Sequence, residues 1–236
     1  MRSTGERPVF EILLIDLDDT ILDFKKQEEV ALAKTLRTAG VEPTEAVCDL
    51  YSKRNRELWM KMERGEISRH EVIFGRFRVL FDELGVDADH ERAAFSYMEN
   101  LSEGYYFLPG AEEAVKTLAK KHRLFIVSNG TAKVQNSRLD SSDLRKYFEN
   151  VFISQDIGFN KPDMEFFRYC FDHIPDFDPT KTMIVGDSPS SDITGGQYAG
   201  IATCWINPTG REYTRPNKPD YEIASLAQLE DLLENL

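Results

Sequence analysis

Five short apolar runs, each ending in a polar turn, set the limits on what this chain can fold into. Residues 9–15, Val-Phe-Glu-Ile-Leu-Leu-Ile, stop abruptly at Asp16-Leu17-Asp18-Asp19-Thr20. Residues 124–127 run into Ser128-Asn129-Gly130, and residues 182–185 into Gly186-Asp187-Ser188. The pattern recurs more weakly at 151–153 and 201–206. Runs this short and continuous predict strands buried on both faces. Between them the apolar residues fall at helical spacing: Ala111, Ala114, Val115 and Leu118 predict a helix over 111–121. Further helices are expected over 163–173, 190–199 and 225–235, the last with Ser225 and Gln228 at capping-box spacing. Strands alternating with helices imply βαβ units, hence an α/β, Rossmann-like three-layer core around a mostly parallel sheet.

Residues 24–105 break the alternation. They read as several helices and no strand. Ile73, Phe77, Leu80, Phe81 and Leu84 share one helical face, with Ser68 and Glu71 at capping-box spacing before it. Val47, Leu50, Tyr51, Leu58 and Met62 predict a second amphipathic helix, and Gly40, Gly65 and Gly85 stand where helices would stop. The α/β pattern resumes after Leu108-Pro109-Gly110. The expected organisation is a core made of residues 1–23 and 106–236, interrupted by an all-helical domain over 24–105. There is no internal repeat and no low-complexity segment.

Composition narrows the function classes. With 41 acidic and 29 basic side chains the net charge is −12, and no Lys/Arg-rich run offers a footprint for a nucleic-acid polymer. No stretch approaches the 18 or so apolar residues of a membrane span, and residues 1–8 lack the apolar segment of a signal peptide. Cys48, Cys170 and Cys204 lie far apart with no zinc or redox spacing, so reduced, half-buried thiols are expected. The expectation is a cytoplasmic protein that engages neither membrane nor nucleic acid.

In an open parallel sheet, ligands bind beyond the carboxyl ends of the strands. The chemically suggestive residues gather there: Asp16, Asp18 and Asp19 after the first run, Ser128 and Asn129 after another, Asp187 and Asp192 after a third. Asp16 and Asp187 would sit side by side if their strands are neighbours. Two carboxylates that close shift a pKa or demand a cation, and an oxygen-only ligand set suits Mg²⁺. Lys161, in Asn160-Lys161-Pro162-Asp163, supplies the complementary charge. A metal, a lysine, a hydroxyl and backbone amides are the parts needed to hold a phosphoryl group. A D-x-D-x-T match alone has an expectation of about 0.08 in a chain of this composition; requiring four apolar residues before it lowers that to about 0.002.

Over its whole length the chain resembles the haloacid dehalogenase superfamily of hydrolases. The resemblance rests on Asp16-Leu17-Asp18-Asp19-Thr20, Ser128-Asn129-Gly130, Lys161-Pro162, and Gly186-Asp187-Ser188 with Asp192. The helical insertion resembles the C1-type cap of that superfamily. Residues 186–196 and the stretch Ala199-Gly200-Ile201-Ala202-Thr203-Cys204-Trp205-Ile206-Asn207 are similar to the noncanonical pyrimidine 5′-nucleotidase branch. Asn55-Arg56-Glu57-Leu58-Trp59 and Gly75-Arg76-Phe77 are similar to its cap.

The resemblance implies a phosphoric monoester hydrolase. Asp16 would be the nucleophile that forms an aspartyl-phosphate, ionised at attack, and Asp18 the acid, then base, that holds a proton at that moment. Mg²⁺ would be bound by the Asp16 carboxylate, the Asp18 backbone carbonyl and Asp187, with Asp192 ordering metal waters. Ser128, the Asn129 amide and Lys161 would grip the phosphoryl oxygens. Asn55, Trp59 and Arg76 are the candidates for cap residues that meet the substrate. An Asp two residues after the nucleophile is what phosphatases and phosphomutases of the superfamily keep and dehalogenases lack. The implied substrate is a small phosphate ester, foremost a pyrimidine nucleoside 5′-monophosphate.

Plainer readings stand beside these. The aspartates could be turn or capping acids, Ser128 a helix cap, Lys161 a solvated turn lysine and Asp192 a first-turn helix acid. Trp59 and Phe77 could be cap core, and Arg76 a surface ion-pair partner. His70, His90, His122 and His173 share no ligand spacing. Two other functions remain open: a sugar-phosphate or other small-metabolite phosphatase or phosphomutase on the same core, and a non-catalytic phospho-aspartate switch.

Overall fold

The computed structural model of the protein describes residues 10–236; residues 1–8 and Val9, which opens the first apolar run, lie outside the described residues. The five runs form β1 (Ile12–Ile15), β2 (Arg123–Ser128), β3 (Asn150–Ile153), β4 (Thr182–Gly186) and β5 (Ala202–Ile206). A sixth strand, β6 (Tyr221–Ile223), was not expected from the sequence. It is three residues long at the sheet edge, too short to register as an apolar run. The order is β3-β2-β1-β4-β5-β6, and every pairing is parallel.

Successive residues of each strand point to opposite faces, and each face carries its own core. Leu13, Ile15, Leu124, Ile126, Met183 and Val185 meet Val115, Leu118, Leu139, Leu226 and Leu229 on one side. Ile12, Leu14, Phe125, Val127 and Ile184 meet Phe166, Phe167 and Cys170 on the other. Burial on both faces explains why the strands read as unbroken apolar runs rather than as alternations. The helices that supply these layers include α5 (Ala111–Leu118), α6 (Ala132–Ser141), α7 (Ser154–Ile157), α8 (Met164–Asp172), α9 (Thr194–Ala199) and α10 (Leu229–Glu234), counted after the four of the insertion. Cys170 and Cys204 are fully buried rather than half-buried, and all three thiols are free.

Two expected helices are divided. The segment expected as one helix over 190–199 is a π-helical turn, Pro189–Ile193, followed by α9. The C-terminal segment opens with a 3₁₀ turn, Leu226–Gln228, before α10. Ser225 makes no side-chain cap there; Gln228 Oε1 accepts instead from the Ala224 N–H at 2.8 Å. The expected capping box fails because Ser225 is fully extended (φ −158°, ψ 158°) and a 3₁₀ turn, not an α-helix, follows it.

Residues 24–106, together with 133–138 from α6, form a separate compact unit; residues 10–23, 107–132 and 139–236 form the other. The helical unit contains α1 (Phe24–Thr38), α2 (Glu45–Glu63), α3 (Arg69–Leu84) and α4 (His90–Ser102). Ser68 and Glu71 make the reciprocal capping box at the start of α3, and Gly85 ends it in the left-handed region at φ 64°. Ala31, Leu32, Leu36, Tyr51, Phe77, Leu80, Ala94 and Tyr97 form its interior.

Candidate active site

The strand order reverses between β1 and β4, the place where an open α/β sheet forms its ligand crevice. Ile15 lies opposite Val185, and the Asp16 N–H donates to the Val185 carbonyl at 2.9 Å. The residues that follow the two strands, Asp16 and Asp187, are therefore held by adjacent ladder ends. Asp16, Asp187 and Asp192 each offer a carboxylate oxygen within 4.8 Å of the others.

Lys161 enters this cluster from the loop before α8 and is 1% exposed. Its ammonium donates to Asp16 Oδ1 at 2.6 Å, Asp192 Oδ1 at 2.7 Å and the Val127 carbonyl at 2.6 Å. Those three acceptors use all three of its N–H groups. Its backbone is held by Asn129: Asn129 Nδ2 donates to the Lys161 carbonyl at 2.9 Å, and the Lys161 N–H donates to Asn129 Oδ1 at 2.8 Å. The Asn129 side chain thus ties the end of β2 to the lysine loop, a role the sequence did not reveal. Ser128 Oγ is buried and accepts from the Gly130 N–H at 3.1 Å.

Asp18 and Asp19 lie in a tight reversal directly after β1. The Ile21 and Leu22 N–H groups both donate to the Leu17 carbonyl, at 3.0 and 2.9 Å. Asp19 sits at φ 57°, a left-handed position that an Asp tolerates better than a branched residue, and its N–H donates to the Leu22 carbonyl at 2.7 Å. Asp18 is half-buried at this turn.

Asp192 is set by the π-helical turn. Its Oδ2 accepts from the Ser188 N–H at 3.1 Å while Oδ1 takes the lysine, and the residue is 1% exposed. Room for this carboxylate depends on Gly186: a Cβ there would lie 2.2 Å from Asp192 Oδ2. Asp192 is therefore not a solvated first-turn acid. Two donors that the sequence reading missed converge on the Asp187 carbonyl, Trp205 Nε1 and Arg211 Nη2, each at 3.0 Å. For Trp205 the signal available was the stretch Trp205-Ile206-Asn207, which carried a resemblance but no chemical role; Arg211 stood in no motif.

The helical unit brings two of its three candidate residues together. Asn55 and Arg76 are 5% and 4% exposed. Asn55 Nδ2 donates to Glu28 Oε1 at 2.9 Å, Tyr97 OH donates to the same oxygen at 3.3 Å, and Ser52 donates to Oε2 at 3.2 Å. The Arg76 guanidinium lies 4.4 Å from the Tyr97 ring centre. Asn55 Oδ1 and Arg76 Nε keep no hydrogen bond among the described residues. Arg76 is thus not a surface ion-pair partner. Trp59 is half-buried under Arg69, 5.7 Å from its ring centre, and has no part in this cluster.

Electrostatics single out the strand-end cluster. Burial pushes Asp16 up to about 7, with Asp192 and Asp18 adding to the rise against the pull of Lys161. Burial also raises Asp187 well above the usual carboxylate range, reinforced by Asp16 and Asp192. Burial opposes the charge on Lys161, but Asp16 and Asp192 outweigh it and raise its pKa. Three acids around one lysine leave negative charge in excess, and all the donor atoms are oxygens, which fits a hard divalent cation such as Mg²⁺. Burial therefore works against the ionised Asp16 that the sequence resemblance implies, and a cation beside it would favour that form.

Comparison with known proteins agrees with this architecture. Residues 13–206 match the family model described as haloacid dehalogenase-like hydrolase. The chain is 37% identical over 226 residues to the pyrimidine 5′-nucleotidase PynA of Streptococcus pneumoniae, covering 95% of each protein. It is 30% identical over 221 residues to the pyrimidine 5′-nucleotidase YjjG of Escherichia coli, covering 94% of this chain and 96% of that one. It is 38% identical to YfnB of Bacillus subtilis over 95% of each chain. A crystal structure of YfnB bound to magnesium superposes with a TM-score of 0.91, covering 95% of this chain and 99% of that one. Among the described residues, no helix is long and apolar enough to cross a membrane. The chain belongs to the haloacid dehalogenase-like hydrolases.

Proposed function

From that membership we propose that the protein is a Mg²⁺-dependent phosphomonoester hydrolase that works through an aspartyl-phosphate on Asp16, with pyrimidine nucleoside 5′-monophosphates as preferred substrates. The observation that carries the reading is the convergence of Asp16, Asp187 and Asp192 around Lys161 at the switch point of the sheet. The pyrimidine preference is supported by the two nucleotidase relatives, each matched over more than nine-tenths of its length.

In this mechanism an Asp16 oxygen attacks phosphorus. The P–O bond to the leaving group breaks, and Asp18, protonated, gives its proton to the departing oxygen. Asp18, now ionised, takes a proton from water as that water's oxygen attacks the same phosphorus. Inorganic phosphate leaves and the Asp16 carboxylate is restored. Asp16, Asp187 and the Asp18 carbonyl would hold Mg²⁺, with Asp192 supporting its waters, and the ion would supply positive charge that favours ionised Asp16 and stabilises the phosphoryl oxygens. Ser128 and the Asn129 amide bind phosphoryl oxygens. Lys161 joins them by exchanging one of its three acceptors for a phosphoryl oxygen, which leaves its charge paired throughout.

Substrate selectivity falls to the helical unit, with Asn55 and Arg76 the foremost residues and Trp59 a separate third. Phosphate release from a panel of nucleoside monophosphates and sugar phosphates, with Mg²⁺ and with EDTA, tests the proposal. Mg²⁺-dependent turnover favouring uridine or thymidine monophosphates is the expected result. Turnover confined to sugar phosphates would keep the chemistry and remove the nucleotide. No release from any ester would leave a phospho-aspartate switch as the better reading.

A further inference from the structure

β5 and the stretch after it carry two donors that the reaction as described does not use. They meet at one peptide. The bond between Asp187 and Ser188 is held from both sides: its carbonyl accepts from Trp205 Nε1 and Arg211 Nη2, each at 3.0 Å, and its N–H donates to Asp192 Oδ2 at 3.1 Å. Asp192 in turn is tied through Oδ1 to Lys161, which reaches Asp16. One peptide unit therefore joins the acid cluster to the loop that follows β5.

The two donors are themselves fixed. Trp205 is 1% exposed and its ring lies edge-on to Tyr213 at 5.2 Å between centres. The Arg211 guanidinium lies 5.2 Å from the indole centre, so the cation and the ring support each other while both address the same oxygen. Asn207, 3% exposed, places the arginine: its Nδ2 donates to the Arg211 carbonyl at 2.9 Å and to Glu222 Oε1 at 2.6 Å, and its Oδ1 accepts from the Arg211 N–H at 3.1 Å. An exposed arginine with a disordered stem could not aim at a carbonyl; an arginine whose own backbone is gripped can.

We propose that Trp205 and Arg211 are positioning residues for Asp187: by pinning its carbonyl they fix the turn that presents its carboxylate to a divalent cation. This rests on the reading of Asp187 as a metal ligand. Groups that orient a metal ligand without touching the metal govern affinity by about 10–100-fold. Arg211 is the cleaner test, because it lies on an exposed loop and its two possible roles predict opposite signs. As a mere positive charge near the acids, it would repel the cation, and its removal would tighten binding. As a donor that orients Asp187, its removal loosens binding.

The experiment is calorimetric titration of the folded protein with MgCl₂, without substrate, on wild type and on Arg211→Met and Trp205→Phe, with unfolding in EDTA measured in parallel. Arg211→Met should bind Mg²⁺ about tenfold more weakly, with unfolding in EDTA unchanged. Trp205→Phe should weaken Mg²⁺ binding likewise but also lower stability in EDTA, because it leaves a buried cavity, and the double variant should lose less Mg²⁺ affinity than the product of the two, because both donors serve one acceptor. Unchanged or tighter Mg²⁺ binding by Arg211→Met would overturn the positioning role and leave the metal site standing. A wild-type protein that binds no Mg²⁺ would overturn both.

Discussion

At the strand ends of the α/β unit, three carboxylates surround one lysine, and every ammonium N–H is used. Inside the helical unit a single carboxylate, Glu28, accepts from Ser52, Asn55 and Tyr97, while Arg76 rests on an aromatic ring and Tyr51 OH, Asn55 Oδ1 and Arg76 Nε keep no hydrogen bond among the described residues. Burial raises the pKa of Glu28, as it raises those of Asp16 and Asp187, yet the consequences differ. The helical cluster meets its one acid with three neutral hydrogen-bond donors and the nearby Arg76 charge. The strand-end cluster gathers three acids around one lysine, and burial raises the pKa of two of them, the arrangement that a bound cation would relieve. Buried polarity that is nearly self-sufficient specifies a shape; buried polarity left in deficit marks a place where something binds.

That contrast is open to attack from several sides. The largest effect is expected from Asp16→Asn, which should lower steady-state turnover by roughly 10⁴-fold or more while leaving the folded state intact. Asp18→Asn should follow, at about 10²–10⁴-fold, slowing both chemical steps and sparing Mg²⁺ affinity. Wild-type-like rates in either variant would remove that residue from the chemistry. Lys161→Met should cost about 3–5 kcal/mol of stability in EDTA at pH 8, measured by denaturant unfolding, because it leaves buried carboxylates without their counter-ion.

A smaller effect concerns pH. The folded chain holds the Asp16 proton up to about pH 7, whereas an unfolded carboxyl releases it near its ordinary value of 3.8. Between those values the folded state binds more protons than the unfolded one, and the raised Asp187 acts in the same direction, so stability in EDTA should fall as pH rises from about 4 through about 7. The loss should be on the order of 2–4 kcal/mol, reduced in Asp16→Asn and reversed by Mg²⁺ at pH 8. Stability in EDTA that rises across this window would contradict the excess of negative charge. The smallest effect belongs to the helical unit. Glu28→Gln should cost about 1 kcal/mol, since an amide keeps one acceptor oxygen, and should leave the response to Mg²⁺ unchanged.

The two clusters also differ in how much of them the sequence betrayed. Asp16, Asp187 and their strands were legible because a parallel strand buried on both faces reads as an apolar run, and the residue after it faces the crevice. Position along the chain and position in the site are then nearly the same thing. Lys161 was legible as a charge but not as a saturated one, because its partner Val127 contributes only a carbonyl. Asn129 was expected for its amide, whereas its side chain grips the lysine backbone across 32 residues of sequence. Trp205 and Arg211 act on a main-chain atom, which carries no signature in side-chain identity. In the helical unit Glu28, Asn55, Arg76 and Tyr97 come from four different helices. At helical spacing each looks like an ordinary polar or amphipathic position, and only the packing shows them together. The weak edge strand β6 and the π-helical turn before α9 were lost for a related reason: each depends on neighbours rather than on local propensity.

The most direct test of the central claim is to trap the phosphoenzyme. The protein would be mixed with uridine or deoxyuridine monophosphate carrying ³²P in its 5′-phosphate and Mg²⁺, quenched in acid during turnover, and digested. The account predicts acid-stable, base-labile label on the peptide that contains Asp16, absent in Asp16→Asn and prolonged in Asp18→Asn. Rapid phosphate release with no label at any time point would contradict covalent catalysis by Asp16, and label on a different residue would place the nucleophile elsewhere.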